Sequence, residues 1–221
     1  MSARLKLFLS GFLLFFAFVF FSFLVHKNIF TQVDFNATVR LQDNISRRFD
    51  DSFSFLSDVG HFEVMTVVLV IIAGWLAFKR RFLAAISAFC LFVGFHVIEI
   101  FGKFFVDHPP PPEFMLRTRD MVEFPQFHVR AEFSYPSGHA GRTAFLSVIL
   151  IIMILSSKKF STTIKVLLCS LILIYDFTMF VSRVYLGEHW STDVIGGILL
   201  GAAFGLISGV FIAKNSHEKT S

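Results

Sequence analysis

Charge is scarce in this chain of 221 residues. Asp, Glu, Lys and Arg make up 16% of it, against 55% hydrophobic residues that include 32 Phe, and the mean hydropathy is +0.69. Soluble domains carry about a quarter charged residues, so a soluble globular fold is excluded. Cysteine is nearly missing as well. Cys90 and Cys169 both fall inside apolar runs, where a disulfide is not expected and a small buried side chain is the ordinary role. Internal repeats and low-complexity linkers are absent, so residues 1–221 are read as one domain. Proline is rare outside one run of four, residues 109–112.

What is present is hydrophobic length. Six runs, residues 7–25, 62–78, 82–105, 140–155, 166–181 and 194–213, approach the roughly 17 to 25 helical residues that cross a hydrocarbon core. The first exceeds a signal-peptide h-region and is followed by VHKNIF rather than a cleavage site, so it is expected to be retained. The fold class expected is all-α, an integral membrane bundle of six transmembrane helices.

The short segments MSARLK, KRR, SSKKFSTTIK and KNSHEKT hold ten of the 20 basic residues and one acid, which predicts cytoplasmic termini. The basic residues flank spans instead of forming a stripe, so nucleic acid is not an expected partner. Residues 31–60 are polar with spaced apolar positions and predict an amphipathic helical segment on the outer face. The second outer segment opens DHPPPPE, where the proline run must end a helix. It carries Arg117, Arg119 and Arg130 beside apolar residues, a composition suited to both an anion and a lipid surface.

Three polar clusters stand at span ends that this topology puts on one side. Lys103 follows His96 and Glu99 on one helical face, where a snorkelling lysine neutralised by Glu99 is the plainest reading. In YPSGHAGRTAF, Ser137 can cap a helix, Gly138 lets an anion approach the N-terminal amides, and His139 sits in the first turn. In SRVYLGEHWSTD, Ser182 and Arg183 end one span, and His189 and Asp193 lie four apart at the start of the next. A carboxylate behind an imidazole makes either a metal ligand or an activated base or nucleophile. No metal is expected, because His108, His128 and His139 lack ligand spacing. Together the groups suit phosphate.

These residues closely resemble the type-2 phosphatidic acid phosphatase family, which includes membrane lipid phosphatases and soluble vanadium haloperoxidases. The pattern P-S-G-H is complete at Pro136, Ser137, Gly138 and His139, and S-R-x5-H-x3-D at Ser182, Arg183, His189 and Asp193. The first pattern, K-x6-R-P, departs: Lys103 is present, but Pro110 replaces the arginine before Pro111, and His108 stands where many members carry another arginine. The resemblance spans residues 103–193. It implies a membrane-bound, cofactor-free phosphatase acting on a lipid phosphomonoester or pyrophosphate, such as undecaprenyl pyrophosphate, phosphatidylglycerophosphate or phosphatidic acid. His189 would be the nucleophile, Asp193 its orienter and His139 the acid and base. Lys103, Ser137, Gly138, Ser182 and Arg183 would bind phosphate, and His108, Arg117, Arg119 or Arg130 would supply the charge missing at Pro110. The site is expected on the extracytoplasmic side. A phosphotransferase, a transporter and a non-catalytic binding protein are the competing readings; oligomeric state is not legible.

Overall fold

A computed structural model describes residues 1–119 and 133–213. Among these residues the chain forms eight α-helices, two short 3-10 turns and no strand. The helices are α1 (Ala3–His26), α2 (Thr31–Asn44), α3 (Asp50–Val59), α4 (Phe62–Phe78), α5 (Phe82–Phe105), α6 (Gly138–Ser156), α7 (Thr162–Tyr185) and α8 (Ser191–Ile212). Every apolar run read from the sequence is a helix. Five of them are long and apolar enough to cross a membrane alone. The sixth, α4, has 17 residues and qualifies only together with α3, from which it bends by 51°. The amphipathic outer segment is α2 and α3.

Helix starts follow their local chemistry. Ser2, Ser137 and Ser161 each accept a backbone N–H of the following turn, which answers one of the N–H groups a helix start leaves unpaired. The turn from α7 to α8 needs Gly187 at φ +71°, and a side chain there would also strike the Met115 carbonyl. At the other end of α8, Arg4 donates to the Ala213 carbonyl at 3.1 Å and Arg81 to the carbonyls of Phe211 and Ile212. Two basic residues that read as topological signals therefore also satisfy a helix C-terminus.

Helices α6 and α8 form the centre of the bundle. In them 61% and 50% of the spanning window is buried, against 11–28% in α1, α5 and α7, so the outer three face lipid. Their contact is backbone to backbone: a Cβ at Gly201 would lie 2.0 Å from the Gly141 carbonyl oxygen, and one at Gly197 2.3 Å from that of Ser137. This is the close approach expected of the four-residue glycine spacing in α8. Asp176 on α7 is tied to α6 by the Ser147 hydroxyl at 2.6 Å, a structural partner inside the bundle. Both cysteines are free, and Cys90 lies exposed on the lipid side rather than buried, which corrects the expected packing role.

The outer helices dock on the site end. Gln42 of α2 donates to the carbonyls of Met115 and Tyr185, at 2.7 and 2.9 Å. Asp34 of α2 accepts from Ser191 and Thr192 at the first turn of α8, where a carboxylate is favoured by the helix dipole.

Candidate active site

The PSGH turn and the start of α8 are one unit. Ser137 donates its N–H to the Asp193 carbonyl at 2.9 Å, and its hydroxyl accepts from Ala140 N at 3.5 Å. Gly138 opens α6 against Glu99 and Arg142, and a Cβ there would fall 2.1 Å from Glu99 Oε1 and 2.7 Å from Arg142 Nη1. Only glycine fits.

His189 turns Nδ1 toward Asp193 Oδ2 at 3.4 Å, which leaves Nε2 free. The same oxygen accepts the Trp190 N–H at 2.9 Å. His139 lies near the charges of Arg183, Arg142, His189 and His61, and its Nε2 is buried without a hydrogen-bond partner among the described residues. His61, at the bend between α3 and α4, places its ring 5.3 Å from that of His139. Four basic or basic-capable groups thus surround one imidazole.

Arg183 is fully buried, and a carboxylate already holds it. Its Nη1 donates to Glu188 Oε2 at 2.6 Å and to Ser57 Oγ at 2.5 Å. Thr118 donates to Glu188 Oε1 at 2.5 Å. Burial works against the Glu188 charge, but Arg183 and the Thr118 hydroxyl outweigh it and hold the carboxyl below its usual range. Ser182 serves this arginine: its hydroxyl, itself donating to the Met179 carbonyl, accepts Arg183 Nε and Nη2 at 3.3 and 3.2 Å. In this structure the Ser182 hydroxyl, expected to bind phosphate, is engaged by Arg183.

The first cluster differs from its expected form. Lys103 is half-buried in the last turn of α5, beside the PSGH turn that Gly102 abuts, and has no hydrogen bond or ion pair with any described residue. Glu99 does not neutralise it. Glu99 Oε2 lies 3.7 Å from Arg142 Nη1 and 3.8 Å from His96 Nε2, because the neighbouring α6 offers a guanidinium where the sequence showed only Lys103. Arg142, three residues past His139, also donates Nε to the Gly60 carbonyl at 3.3 Å; no motif spacing marks it.

Three of the four residues expected to replace the Pro110 arginine have partners elsewhere among the described residues. Arg119 pairs with Asp51 at 2.9 Å, both side chains more than half exposed. Arg117 stacks over the Tyr185 ring, 5.1 Å from its centroid. His108 is 4% exposed and turns its nitrogens to Asp193 and Asp34, away from the phosphate role. Arg130 and His128 lie outside the described residues. Among those residues, no three His, Cys, Asp or Glu side chains form a group that could hold a metal ion.

Comparison with known proteins decides the family. A profile of the PAP2 superfamily matches residues 83–216, more than half the chain. The chain belongs to the PAP2 superfamily. Two curated PAP2-type relatives are phosphatidylglycerophosphatase B of Bacillus subtilis, 24% identical over 74% of this chain and 73% of that protein, and undecaprenyl-diphosphatase of Sulfolobus acidocaldarius, 30% identical over 70% of this chain and 66% of that one. The fold is shared with the crystal structure of the first transmembrane PAP2 type phosphatidylglycerolphosphate phosphatase from Bacillus subtilis, at a TM-score of 0.72 and 20% identity, covering 90% of this chain and 94% of that one. Aquifex aeolicus LpxE superposes with a TM-score of 0.56 at 23% identity, covering 80% and 94%. The expected family and the all-helical membrane fold are both borne out.

Proposed function

We propose that this PAP2 protein releases phosphate from a lipid phosphomonoester or diphosphate at one membrane surface, with His189 as the nucleophile. The observation that carries the reading is the pairing of His189 Nδ1 with Asp193 at 3.4 Å, beside a second imidazole, His139, that feels the charges of both His189 and Arg183. In the first step the Nε2 lone pair forms a bond to phosphorus as the bond from phosphorus to the leaving lipid oxygen breaks, and His139 protonates that oxygen. In the second, water attacks phosphorus, the P–N bond breaks and His139 takes the water proton. Arg183, Lys103 and the Gly138 N–H stabilise the equatorial oxygens.

Two further points support the reading. The cation lost at Pro110 is supplied from within α6 by Arg142, held against Gly138. An apolar cavity of about 370 Å³ between α4, α6 and α7, with Thr143 one turn below His139 and then Leu146 and Leu150 along its wall, suits the hydrocarbon part of a lipid. The names of the curated relatives favour a phosphatidylglycerophosphate or a polyprenyl diphosphate as the lipid class. The distribution of Lys and Arg supports cytoplasmic termini and a site on the opposite face. The test is phosphate release by purified protein from a panel of lipid phosphates with EDTA present. Release by wild type but not by His189→Ala, with a base-stable phosphoenzyme trapped on His189, is expected. Equal turnover by His189→Ala, or transfer only to a second lipid, would overturn it.

A further inference from the structure

The carboxylate that orients His189 has a second and closer imidazole. His108 Nδ1 is 2.8 Å from Asp193 Oδ1, whereas His189 Nδ1 stands 3.4 Å from Asp193 Oδ2. The far nitrogen of His108, Nε2, lies 3.6 Å from Asp34 Oδ2. Asp34 is held in turn by Ser191 Oγ at 2.5 Å, Thr192 N at 2.9 Å and Thr192 Oγ1 at 2.6 Å. The two carboxylates are 0% and 1% exposed, and the ring between them 4%.

The charges decide what His108 must be. A neutral imidazole has one N–H donor and one acceptor, so one carboxylate oxygen would face a lone pair. An imidazolium donates Nδ1–H to Asp193 and sets its second N–H and its charge 3.6 Å from Asp34, serving one acid by a hydrogen bond and the other as an ion pair. Leaving two buried carboxylates with no cation between them costs several kcal/mol per unpaired ion, well beyond one hydrogen bond.

We propose that His108 is a fixed imidazolium bridging Asp34 of α2 to Asp193 of α8, and so a positioning residue that sets the carboxylate behind the nucleophile. The inference rests on the reading of His189 as that nucleophile. It makes the outer helix α2 part of the catalytic support, through the line Asp34, His108, Asp193, His189. With Oδ1 permanently occupied, Asp193 keeps Oδ2 for the Trp190 N–H and for His189, and its carboxylate plane cannot rotate.

The titratable groups facing the ring are Asp193 from α8, Asp34 from α2 and, edge-on with centroids 6.4 Å apart, Tyr135 from the segment before α6. Burial pushes the imidazole down, but the bonds and charges of Asp193 and Asp34 outweigh it and raise its pKa to about 9. The bridge is therefore complete at neutral pH and is lost as pH rises through about 9.

The test uses full-length protein with nitrogen-15-labelled histidine, the His108 signals being assigned with His108→Asn. At about pH 8, where a histidine of ordinary pKa near 6.5 is neutral, both His108 nitrogens are expected to carry protons, and Asp34→Asn is expected to move the titration downward. A neutral His108 at that pH overturns the proposal whatever the activity. In the kinetic arm His108→Leu is expected to lower kcat about tenfold or more, equivalent to roughly 1.4 kcal/mol, with inhibition by inorganic phosphate unchanged. His108→Asn, whose amide can still donate to Asp193, is expected to recover part of kcat. Weaker phosphate binding with kcat retained would make His108 a phosphate ligand and overturn the bridge. Wild type that turns over no lipid phosphate would instead remove the phosphatase reading, while the nitrogen signals still decide the imidazolium.

Discussion

The active site has two halves of different construction. One half is carried by α6 and α8: their first turns hold His139 and Asp193, His189 stands two residues before α8 begins, and their backbones touch at Gly141 and Gly201. The other is assembled from α2, α3 and the proline segment, which bring Asp34, Ser57, His108 and Thr118 to the same place largely through side-chain bonds. The first half holds the reacting groups on main chain. The second sets their charge: it buries the carboxylate partners and hydroxyls that decide which cations are free to meet phosphate.

Substitutions should separate the halves. The largest effect is expected from His189→Ala, a loss of about 10⁴-fold or more in kcat, measured by phosphate release in detergent with the melting temperature nearly unchanged. Next, Arg142→Gln should cost about 10- to 100-fold in kcat/KM, some 1.4 to 2.7 kcal/mol, chiefly through KM; an unchanged KM would return the missing Pro110 charge to another residue. Glu188→Gln tests the assembled half directly. It removes the carboxylate that competes with phosphate for Arg183, so inhibition by inorganic phosphate should tighten about 3- to 10-fold, and weaker inhibition would mean that Glu188 holds Arg183 in shape instead. The smallest effect belongs to Arg119→Ala. Its exposed pair with Asp51 is worth about 0 to 1 kcal/mol, and activity should stay within about twofold; a larger fall would bring this loop arginine back into the site.

The motif half was legible in the sequence because its chemistry sits at helix ends. A capping serine, a glycine free of Cβ and a histidine four residues before an aspartate act through local geometry, and the local geometry formed as expected. The assembled half could not be read in the same way. Asp34 meets Thr192 across 158 residues and His108 meets Asp193 across 85, so nothing local distinguishes them from a polar face and a loop histidine. Helical spacing put Glu99 and Lys103 on one face correctly, but the partner Glu99 takes, Arg142, belongs to another helix. Glu188 and Arg142 had a signal that was available: each lies inside a stretch already singled out, one residue before His189 and three after His139. The spacing pattern itself treats both positions as variable and so carries no information about them. Spacing also assigns His108 by position to an arginine's role, whereas the fold sets it between Asp193 and Asp34.

The contact between Gly141 and Gly201 has a consequence for how the enzyme meets different lipids. His139 opens α6 and His189 lies just before α8, so the two imidazoles are mounted at the ends of two rods whose backbones touch at Gly141 and Gly201. A bilayer that is thicker or thinner than the hydrophobic stretch forces helices to tilt, and in this protein α5 and α7, with few buried residues, have more room to do so than α1, whose Gly11 is packed onto the Ala203 backbone of α8. The reach between the two imidazoles is then insulated from membrane thickness, and adaptation to a new membrane can proceed by changing the outer helices while the chemistry stays in register.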